Sequence, residues 1–193
     1  MNYYVEIRIK PDAEMQENLL LNKFYTKLHK AIFELNASDI GVSFSQVKER
    51  LGCVIRIHST KERLKELQNL NWLGGLSGYC AVGDILPVPD KVNGHQTISR
   101  IRQTMSDAKL KKRIEYQQEK GVLKTDDEVR AYIKQYKNKM FVTSLGNPYL
   151  ELQSTSTGSK YRLYIQFGEL QQQAVIGEFN HFGLSKTATI PVF

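Results

Sequence analysis

Residues 3–9, with the sequence YYVEIRI, alternate between two kinds of side chain and decide the class of fold. One side of an extended chain would carry Tyr3, Val5, Ile7 and Ile9, and the other side would carry Tyr4, Glu6 and Arg8. Alternation over this length is typical of a strand with one buried face. Pro11 and Asp12 then predict the end of the strand.

The elements that follow this strand predict a β-α-β-β-α-β order over about 90 residues. Residues 16–36 have helical period, with an apolar stripe formed by Leu20, Phe24, Leu28, Ala31 and Leu35. Strands are predicted at 40–44, 53–58 and 79–88, and a helix at 61–70, which Ser59 or Thr60 could cap. This is the ferredoxin-like order, which RNA-recognition domains share with many metabolic and regulatory proteins.

The second half predicts an α+β continuation after a linker. Pro87, Pro89, Asn93 and Gly94 favour a connecting segment at 87–98. Helices are predicted at 107–118 and 126–139, and β-structure at 140–145, 149–153 and 161–167. We therefore expect a ferredoxin-like (RRM-like) domain at 1–90, a linker at 91–99, and a β-rich C-terminal domain with a basic helix at 100–193.

Positive charge is concentrated in one part of the chain, whose formal net charge is +7. Residues 100–140 contain 12 Lys and Arg against 6 Asp and Glu, whereas residues 1–99 contain 12 against 11 and residues 141–193 contain 3 against 3. A basic segment favours a nucleic acid partner, because neutralised phosphates release counterions. From charge alone, a solvated helical surface explains the segment equally well.

The sequence lacks the common motifs for nucleotides, metals and nucleophilic catalysis, including GxGxxG, HExxH and GxSxG. Cys53 and Cys80 have no metal-ligand spacing and are predicted to be buried free thiols in a reducing compartment. The N-terminus does not resemble a signal peptide, and no apolar run approaches the roughly 20 residues of a membrane span. We expect a cytoplasmic protein without a metal or a small-molecule cofactor.

A few polar segments could carry chemistry. His29 lies roughly 120° from the centre of the apolar helical stripe, at about 100° per residue, so it is not predicted to be a core histidine. By itself such a residue is more often a surface side chain. Residues 153–159, QSTSTGS, could contact phosphate and sugar oxygens, although a polar hairpin turn is the simpler interpretation.

Together, these segments resemble the CRISPR repeat-processing endoribonucleases of type I-F systems, and the resemblance covers essentially the whole chain. The segments that carry it are YYVEIRIKPD at 3–12, KLHKA at 27–31, IGVSF at 40–44, RLGCVIRIHST at 50–60, SRIRQ at 99–103, QSTSTG at 153–158, GLSK at 183–186 and PVF at 191–193.

The resemblance implies an endoribonuclease that needs no metal and cuts CRISPR precursor RNA at the 3′ base of the repeat hairpin. It would leave a 2′,3′-cyclic phosphate and stay on its product as a subunit of the surveillance complex. By resemblance, His29 transfers the proton and Ser154 holds the ribose 2′-hydroxyl. Tyr161 would stack at the foot of the stem, and Ser156 and Thr157 would line the RNA backbone.

The resemblance also implies RNA contacts in the basic segment. The helix with Lys109, Lys112 and Arg113 would lie in the major groove of the hairpin, where shape and phosphate contacts dominate. The family's Arg-x-Gln pair corresponds to Arg100, Arg102 and Gln103. Neighbouring side chains of an extended segment face opposite sides, so Arg102 and Gln103 are not expected to read bases equally well.

One position departs from the family's pattern. Where the family often has a tyrosine before GLSK, this chain has Phe182, which is still expected at the RNA surface. The missing hydroxyl is then dispensable, replaced by His181, or reflected in altered activity. Two alternatives stay open: a hairpin-binding structural subunit without catalysis, and a metabolic ferredoxin-like enzyme, which the absence of a cofactor motif disfavours.

Overall fold

The computed structural model describes residues 1–154 and 158–193, and its N-terminal half is built on a four-stranded antiparallel sheet. The strands are β1 (Tyr3–Ile9), β2 (Gly41–Phe44), β3 (Val54–Ser59) and β4 (Cys80–Pro87), in the order β2-β3-β1-β4. Helix α1 (Glu17–Glu34) follows β1, and helix α2 (Lys61–Asn69) follows β3. A short 3₁₀ helix, Gly74–Tyr79, leads into β4.

Helix α1 forms because its apolar residues recur on one face. Leu20, Phe24, Leu28 and Ala31 are buried there, as the sequence predicts, while His29 is half-buried beside them. The helix ends before Asn36, whose positive φ of 46° turns the chain towards β2. For α2, the cap is Thr60, whose side chain accepts a hydrogen bond from the Arg63 backbone N–H.

The C-terminal half contains two smaller antiparallel sheets and a helical pair. Strands β6 (Ile98–Ile101), β7 (Tyr149–Gln153) and β8 (Lys160–Phe167) form one sheet in the order β6-β8-β7, and β5 (Gly94–Gln96) pairs with β9 (Ile190–Val192). Helix α3 (Asp107–Glu119) is capped by Ser106, and α4 (Asp126–Met140) by a capping box between Thr125 and Glu128.

Two sequence predictions for this half are wrong. Residues 140–145 do not form a strand, because α4 runs to Met140 and continues as a π-helical turn, Phe141–Leu145. The segment predicted as a linker, 91–99, contains β5 and the start of β6. Both strands pair with partners far along the chain, β9 and β8, and a local pattern does not reveal such pairing.

One hydrophobic core joins the two halves of the chain. Leu28 and Ile57 from the first half and Leu150 and Leu163 from the second are all fully buried in the same cluster. A separate small cluster holds α3 against α4 through Leu110, Tyr136 and Met140. The basic helix therefore has its own packing, while α1 is fixed directly against the C-terminal sheet.

The two cysteines differ in one respect from what the sequence predicts. Cys53 and Cys80 are free thiols, as predicted, but both are half-buried rather than buried. Their partial burial raises the pKa of both thiols, and the nearby Glu17 carboxylate adds to the shift for Cys53.

Across residues 1–154 and 158–193, no helix is both long and apolar enough to cross a bilayer.

A buried histidine in β3 predicts that acid weakens the fold. His58 is fully buried, and its Nε2 atom lies 2.8 Å from the Ser43 hydroxyl. Burial, together with the Arg56 guanidinium, lowers the pKa of His58 to about 3. Since the unfolded chain binds this proton near pH 6.5 and the folded chain does not, the free energy of unfolding should fall as the pH falls from 6.5 towards 3.

The variant His58→Gln should remove this part of the pH dependence. Each pH unit below about 6.5 contributes at most about 1.4 kcal/mol in the wild-type protein. Urea unfolding of both proteins at several values between pH 7 and pH 4 measures the difference in slope. If wild type and variant lose stability in parallel, His58 is not the group that titrates on unfolding.

Candidate active site

The candidate site begins with the environment of the His29 imidazole on α1. Its Nδ1 atom lies 3.0 Å from the backbone carbonyl oxygen of His181. A carbonyl oxygen can only accept, so Nδ1 carries a proton and donates it to this bond. In the neutral ring the lone pair then lies on Nε2. The backbone of the C-terminal segment thus fixes the tautomer that a proton acceptor requires.

Phe182 fixes the plane of the same ring. The His29 and Phe182 rings stack with centroids 4.0 Å apart and an interplanar angle of 1°. The phenol of Tyr25 donates a 2.6 Å hydrogen bond to the Phe182 carbonyl, and burial raises the pKa of this phenol, which keeps it a donor. Phe182 was predicted to contact RNA, and its ring packs against the candidate catalytic side chain.

A tight turn holds Phe182 in place. The Asn180 side-chain oxygen accepts from the Phe182 N–H at 2.8 Å, and the Gly183 N–H donates to the Asn180 carbonyl, also at 2.8 Å. Gly183 has a φ of +68°, and a Cβ at this position would lie 2.3 Å from a Val42 methyl group. The glycine of the GLSK motif is therefore required by both backbone conformation and close packing against β2.

His29 opens onto a cleft of about 550 Å³ between α1 and the C-terminal sheet. Ser154, Arg100 and Tyr161 line the same cleft, so the structure brings together four of the residues singled out from the sequence. Ser154 lies just after β7, and its N–H donates to the Ser159 carbonyl at 2.9 Å. This bond closes the hairpin between β7 and β8 and places Ser154 at the edge of the cleft.

Arg100 is one of the cations that line this cleft, together with Lys30. Its guanidinium lies 5.6 Å from the centre of the Tyr161 ring. Its Nε atom is buried, and no hydrogen-bond partner for it lies within the described part of the chain. The positive charge of a guanidinium in the cleft wall suits a negatively charged group in the cleft.

The neighbouring depression, about 680 Å³, is lined by Arg102 and Gln103 together with Arg100 and Tyr161. Strand β6 ends at Ile101, so the two exposed side chains are not held on opposite faces of an extended strand. The expectation that they do not read bases equally well depended on an extended segment, and their roles stay a prediction. Both line the same concave surface, and it meets the cleft at Arg100 and Tyr161.

The other predicted residues lie outside the cleft or outside the described residues. Lys109, Lys112 and Arg113 are exposed on α3. The Lys109 ammonium donates to the Thr104 carbonyl at 2.8 Å, and Arg113 lies 5.8 Å from the centre of the Tyr136 ring. Ser156 and Thr157 lie outside the described residues. Among residues 1–154 and 158–193, no three His, Cys, Asp or Glu side chains gather as metal ligands would.

Sequence reasoning missed several residues of the cleft wall. Thr26, Lys30 and Phe33 line it from α1, and Gln153 and Ser159 line it from the hairpin. One signal was available: Thr26 and Phe33 lie one helical turn before and after His29, and residues at these spacings share a helix face. Phe33 is 63% exposed, which is unusual for a phenylalanine.

Comparisons with known proteins agree on one family. Residues 4–193 match the family model described as CRISPR-associated protein (Cas_Csy4). Two similar proteins are both named CRISPR-associated endonuclease Cas6/Csy4. The one from Escherichia coli (strain UTI89 / UPEC) is 33% identical over 193 residues, and the one from Pseudomonas aeruginosa (strain UCBPP-PA14) is 32% identical over 196 residues. Each alignment covers 100% of both chains.

A solved structure is also similar to the chain. One chain, described as the CRISPR endoribonuclease Cse3 bound to 19-nucleotide RNA, aligns over 98% of both chains with 12% identity and a TM-score of 0.39.

Proposed function

This chain belongs to the Cas_Csy4 family of CRISPR-associated proteins, and we propose that it is the endoribonuclease that matures CRISPR RNA. It cleaves the precursor at the 3′ base of the repeat hairpin and needs no metal for the reaction. Its substrate is the repeat hairpin, and it remains on the product as a subunit of the surveillance complex.

The observation that carries this proposal is the tautomer of His29. The Nδ1–H donates to the His181 carbonyl, so Nε2 is the basic nitrogen of a neutral ring in a cleft that also contains Ser154. The 2′-oxygen attacks the adjacent phosphorus and the bond from phosphorus to the 5′-oxygen breaks. The products are a 2′,3′-cyclic phosphate and a 5′-hydroxyl. His29 moves a proton in this exchange, and Ser154 holds the 2′-hydroxyl in line.

Arg100 and Tyr161 complete the cleft in this proposal. The guanidinium of Arg100 offsets the charge of the scissile phosphate, and Tyr161 stacks at the foot of the stem. Arg102 and Gln103 contact the adjoining nucleotides from the neighbouring depression. Ser156 and Thr157 line the backbone, and Phe182 supports the His29 ring rather than the RNA directly.

In this proposal the two parts of the chain have separate roles. We propose that residues 1–90 form a ferredoxin-like domain, which the sheet order β2-β3-β1-β4 and the intervening helices support. Residues 100–193 then form the RNA-binding domain, with Lys109, Lys112 and Arg113 of α3 against the hairpin phosphates. The two parts share one hydrophobic core, so they differ in function but do not pack as separate units.

A second candidate is a structural subunit that binds the hairpin without cutting it. Phe182 favours it, because a tyrosine hydroxyl is missing beside His29. The test is incubation of the purified protein with repeat RNA in excess EDTA, followed by analysis of the product ends. We expect cleavage and a cyclic-phosphate end. Activity that appears only when magnesium or manganese is added would contradict the proposed mechanism, and binding without cutting would favour the second candidate.

Charge reversal on α3 is expected to weaken hairpin binding. The change is Lys112→Glu with Arg113→Glu, at exposed positions. Each lost phosphate contact should lower the slope of log K against log salt by about one. Lys61→Glu with Lys65→Glu on α2 is the matched control. An unchanged slope in the α3 variant would place the RNA elsewhere.

A further inference from the structure

Three consecutive carbonyl groups of the C-terminal segment accept hydrogen bonds from the first half of the chain. The three pairs, donor first, are the His29 imidazole with His181 at 3.0 Å, the Tyr25 phenol with Phe182 at 2.6 Å, and the Val42 backbone N–H with Gly183 at 2.9 Å. The segment that orients the candidate catalytic histidine is therefore itself held at adjacent points. The middle bond comes from a side chain that the mechanism proposed above does not use.

The direction of the Tyr25 hydroxyl is fixed by the packing of its ring. Tyr25 is fully buried on α1, one helical turn before His29. Its ring stacks on that of Phe44 on β2, with centroids 6.0 Å apart, and on that of Phe182, with centroids 6.5 Å apart. Because the hydroxyl lies in the plane of the ring, these contacts direct it at the Phe182 carbonyl.

The same contacts are part of a row of near-parallel rings that runs from β2 to the cleft. The rings are, in order, Phe44, Tyr25, Phe182 and His29. The angles between successive ring planes are 19°, 12° and 1°. The row begins in the core and ends at the cleft wall, so the plane of the imidazole is set from the core outwards.

We propose that Tyr25 is a positioning residue for the cleavage reaction and acts on the His29 imidazole through residues 181 and 182. This inference rests on the proposed function. Tyr25 is fully buried, so it does not contact RNA itself. Its hydroxyl holds the peptide group that follows Phe182, and only the Cα of Phe182 separates this group from the peptide group that contains the His181 carbonyl. The hydroxyl thereby keeps both the carbonyl and the stacked ring in place against His29.

The variant Tyr25→Phe removes this hydroxyl and keeps the ring. The Phe182 carbonyl loses its donor, and a carbonyl group in that situation turns towards another partner, such as water. The turn displaces the His181 carbonyl and the Phe182 ring, so the imidazole is no longer restricted to one tautomer and one plane.

We expect the variant to bind the hairpin normally and to cut it slowly. A misplacement of about 1 Å can reduce a rate roughly 10²-fold, and a smaller displacement should lower the single-turnover rate by about tenfold. Affinity should not change, because the phenol is buried away from the RNA.

The experiment combines two measurements on Tyr25→Phe. The first is single-turnover cleavage at saturating protein, together with gel shifts on the same RNA. The second is NMR of the imidazole nitrogens in the whole chain without RNA, at about pH 8, where an ordinary histidine is neutral. The nitrogen shifts report which ring nitrogen carries the proton, and the His29 signals are those that disappear in His29→Ala.

Ser59→Ala is the matched control. The Ser59 hydroxyl is also buried and donates to a backbone carbonyl, that of Asp39, at 2.8 Å, but Ser59 does not line the cleft. The wild-type protein and this control should show His29 with its proton on Nδ1 and should cut at similar rates. Tyr25→Phe should show both tautomers and cut more slowly, and thermal melts of the two variants compare their stability.

Four results would overturn the proposal. A mixture of His29 tautomers in the wild-type protein would remove its premise before any variant is compared. A wild-type rate for Tyr25→Phe would remove Tyr25 from the site. Slower cutting with unchanged imidazole signals would place the effect of Tyr25 elsewhere. Equal slowing of Ser59→Ala would assign the effect to lost stability.

Failure of the proposed function gives a different result. If the wild-type protein binds no repeat RNA or does not cut it, the proposed function fails, while the tautomer comparison in the absence of RNA still tests whether Tyr25 positions His29.

Discussion

Replacement of His29 by alanine is expected to lower the rate of cleavage by roughly 10²–10⁴-fold, the range for loss of a general acid or base. Hairpin affinity should stay nearly unchanged, because the proposed RNA contacts of the basic helix, Arg102 and Tyr161 do not depend on the His29 side chain. The structure adds a specific reason for a large effect. The His181 carbonyl and the Phe182 ring hold the imidazole in one tautomer and one plane.

The matched control for this variant is His181→Ala. His181 contributes its backbone carbonyl to the site, which alanine retains, whereas its imidazole packs edge-on against Phe33 at a centroid distance of 5.0 Å. This variant should therefore cut at close to the wild-type rate. It also tests whether the His181 side chain replaces the tyrosine hydroxyl that the sequence lacks at position 182.

Single-turnover cleavage and gel shifts with one RNA measure both variants, and thermal melts confirm that they fold. Retained cutting by His29→Ala would remove this residue from the mechanism. If His181→Ala is instead the inactive variant, proton transfer belongs to the His181 imidazole, and the stacked pair of His29 and Phe182 has a structural role.

The sequence predicts those elements whose pattern is local. The alternation in 3–9 and the stripe from Leu20 to Ala31 correspond to β1 and α1, because each element has one face on the core. Helices α3 and α4 also begin at local signals, since the side chains of Ser106 and Thr125 accept hydrogen bonds from backbone N–H groups of the first helical turn. The position of His29 beside the stripe, and not in it, also follows from helical geometry alone.

Features that depend on pairing between distant segments could not be predicted in this way. Strands β5 and β9 are each three residues long and owe their existence to each other, across about a hundred residues. The stacking of Phe182 on His29 depends on the tight turn at Gly183, which no period in the sequence indicates. A depression of about 800 Å³ combines residues of α1 and β7, so Lys23 and Lys160 line one surface only after the core has formed.

Replacement of Ser154 by alanine is expected to slow cleavage far more than it weakens binding. A hydroxyl beside the 2′-oxygen can hold it in line with the bond that breaks, and a misplacement of about 1 Å can reduce the rate roughly 10²-fold. The backbone at Ser154 should not change, because the N–H that bonds to the Ser159 carbonyl is retained. The variant thus removes one oxygen from the cleft and keeps the backbone hydrogen bond between Ser154 and Ser159.

Two serines serve as controls for this experiment. Ser159, which lies just before β8, lines the same cleft. The variant Ser159→Ala therefore tests whether any hydroxyl in the cleft wall suffices to orient the 2′-hydroxyl. Ser156 is the rival within QSTSTG, two residues further along the chain. Single-turnover rates at saturating protein rank the three variants, and Ser154→Ala should be the slowest. If Ser156→Ala is slower, the hydroxyl that orients the ribose belongs to Ser156, and the role proposed for Ser154 is wrong.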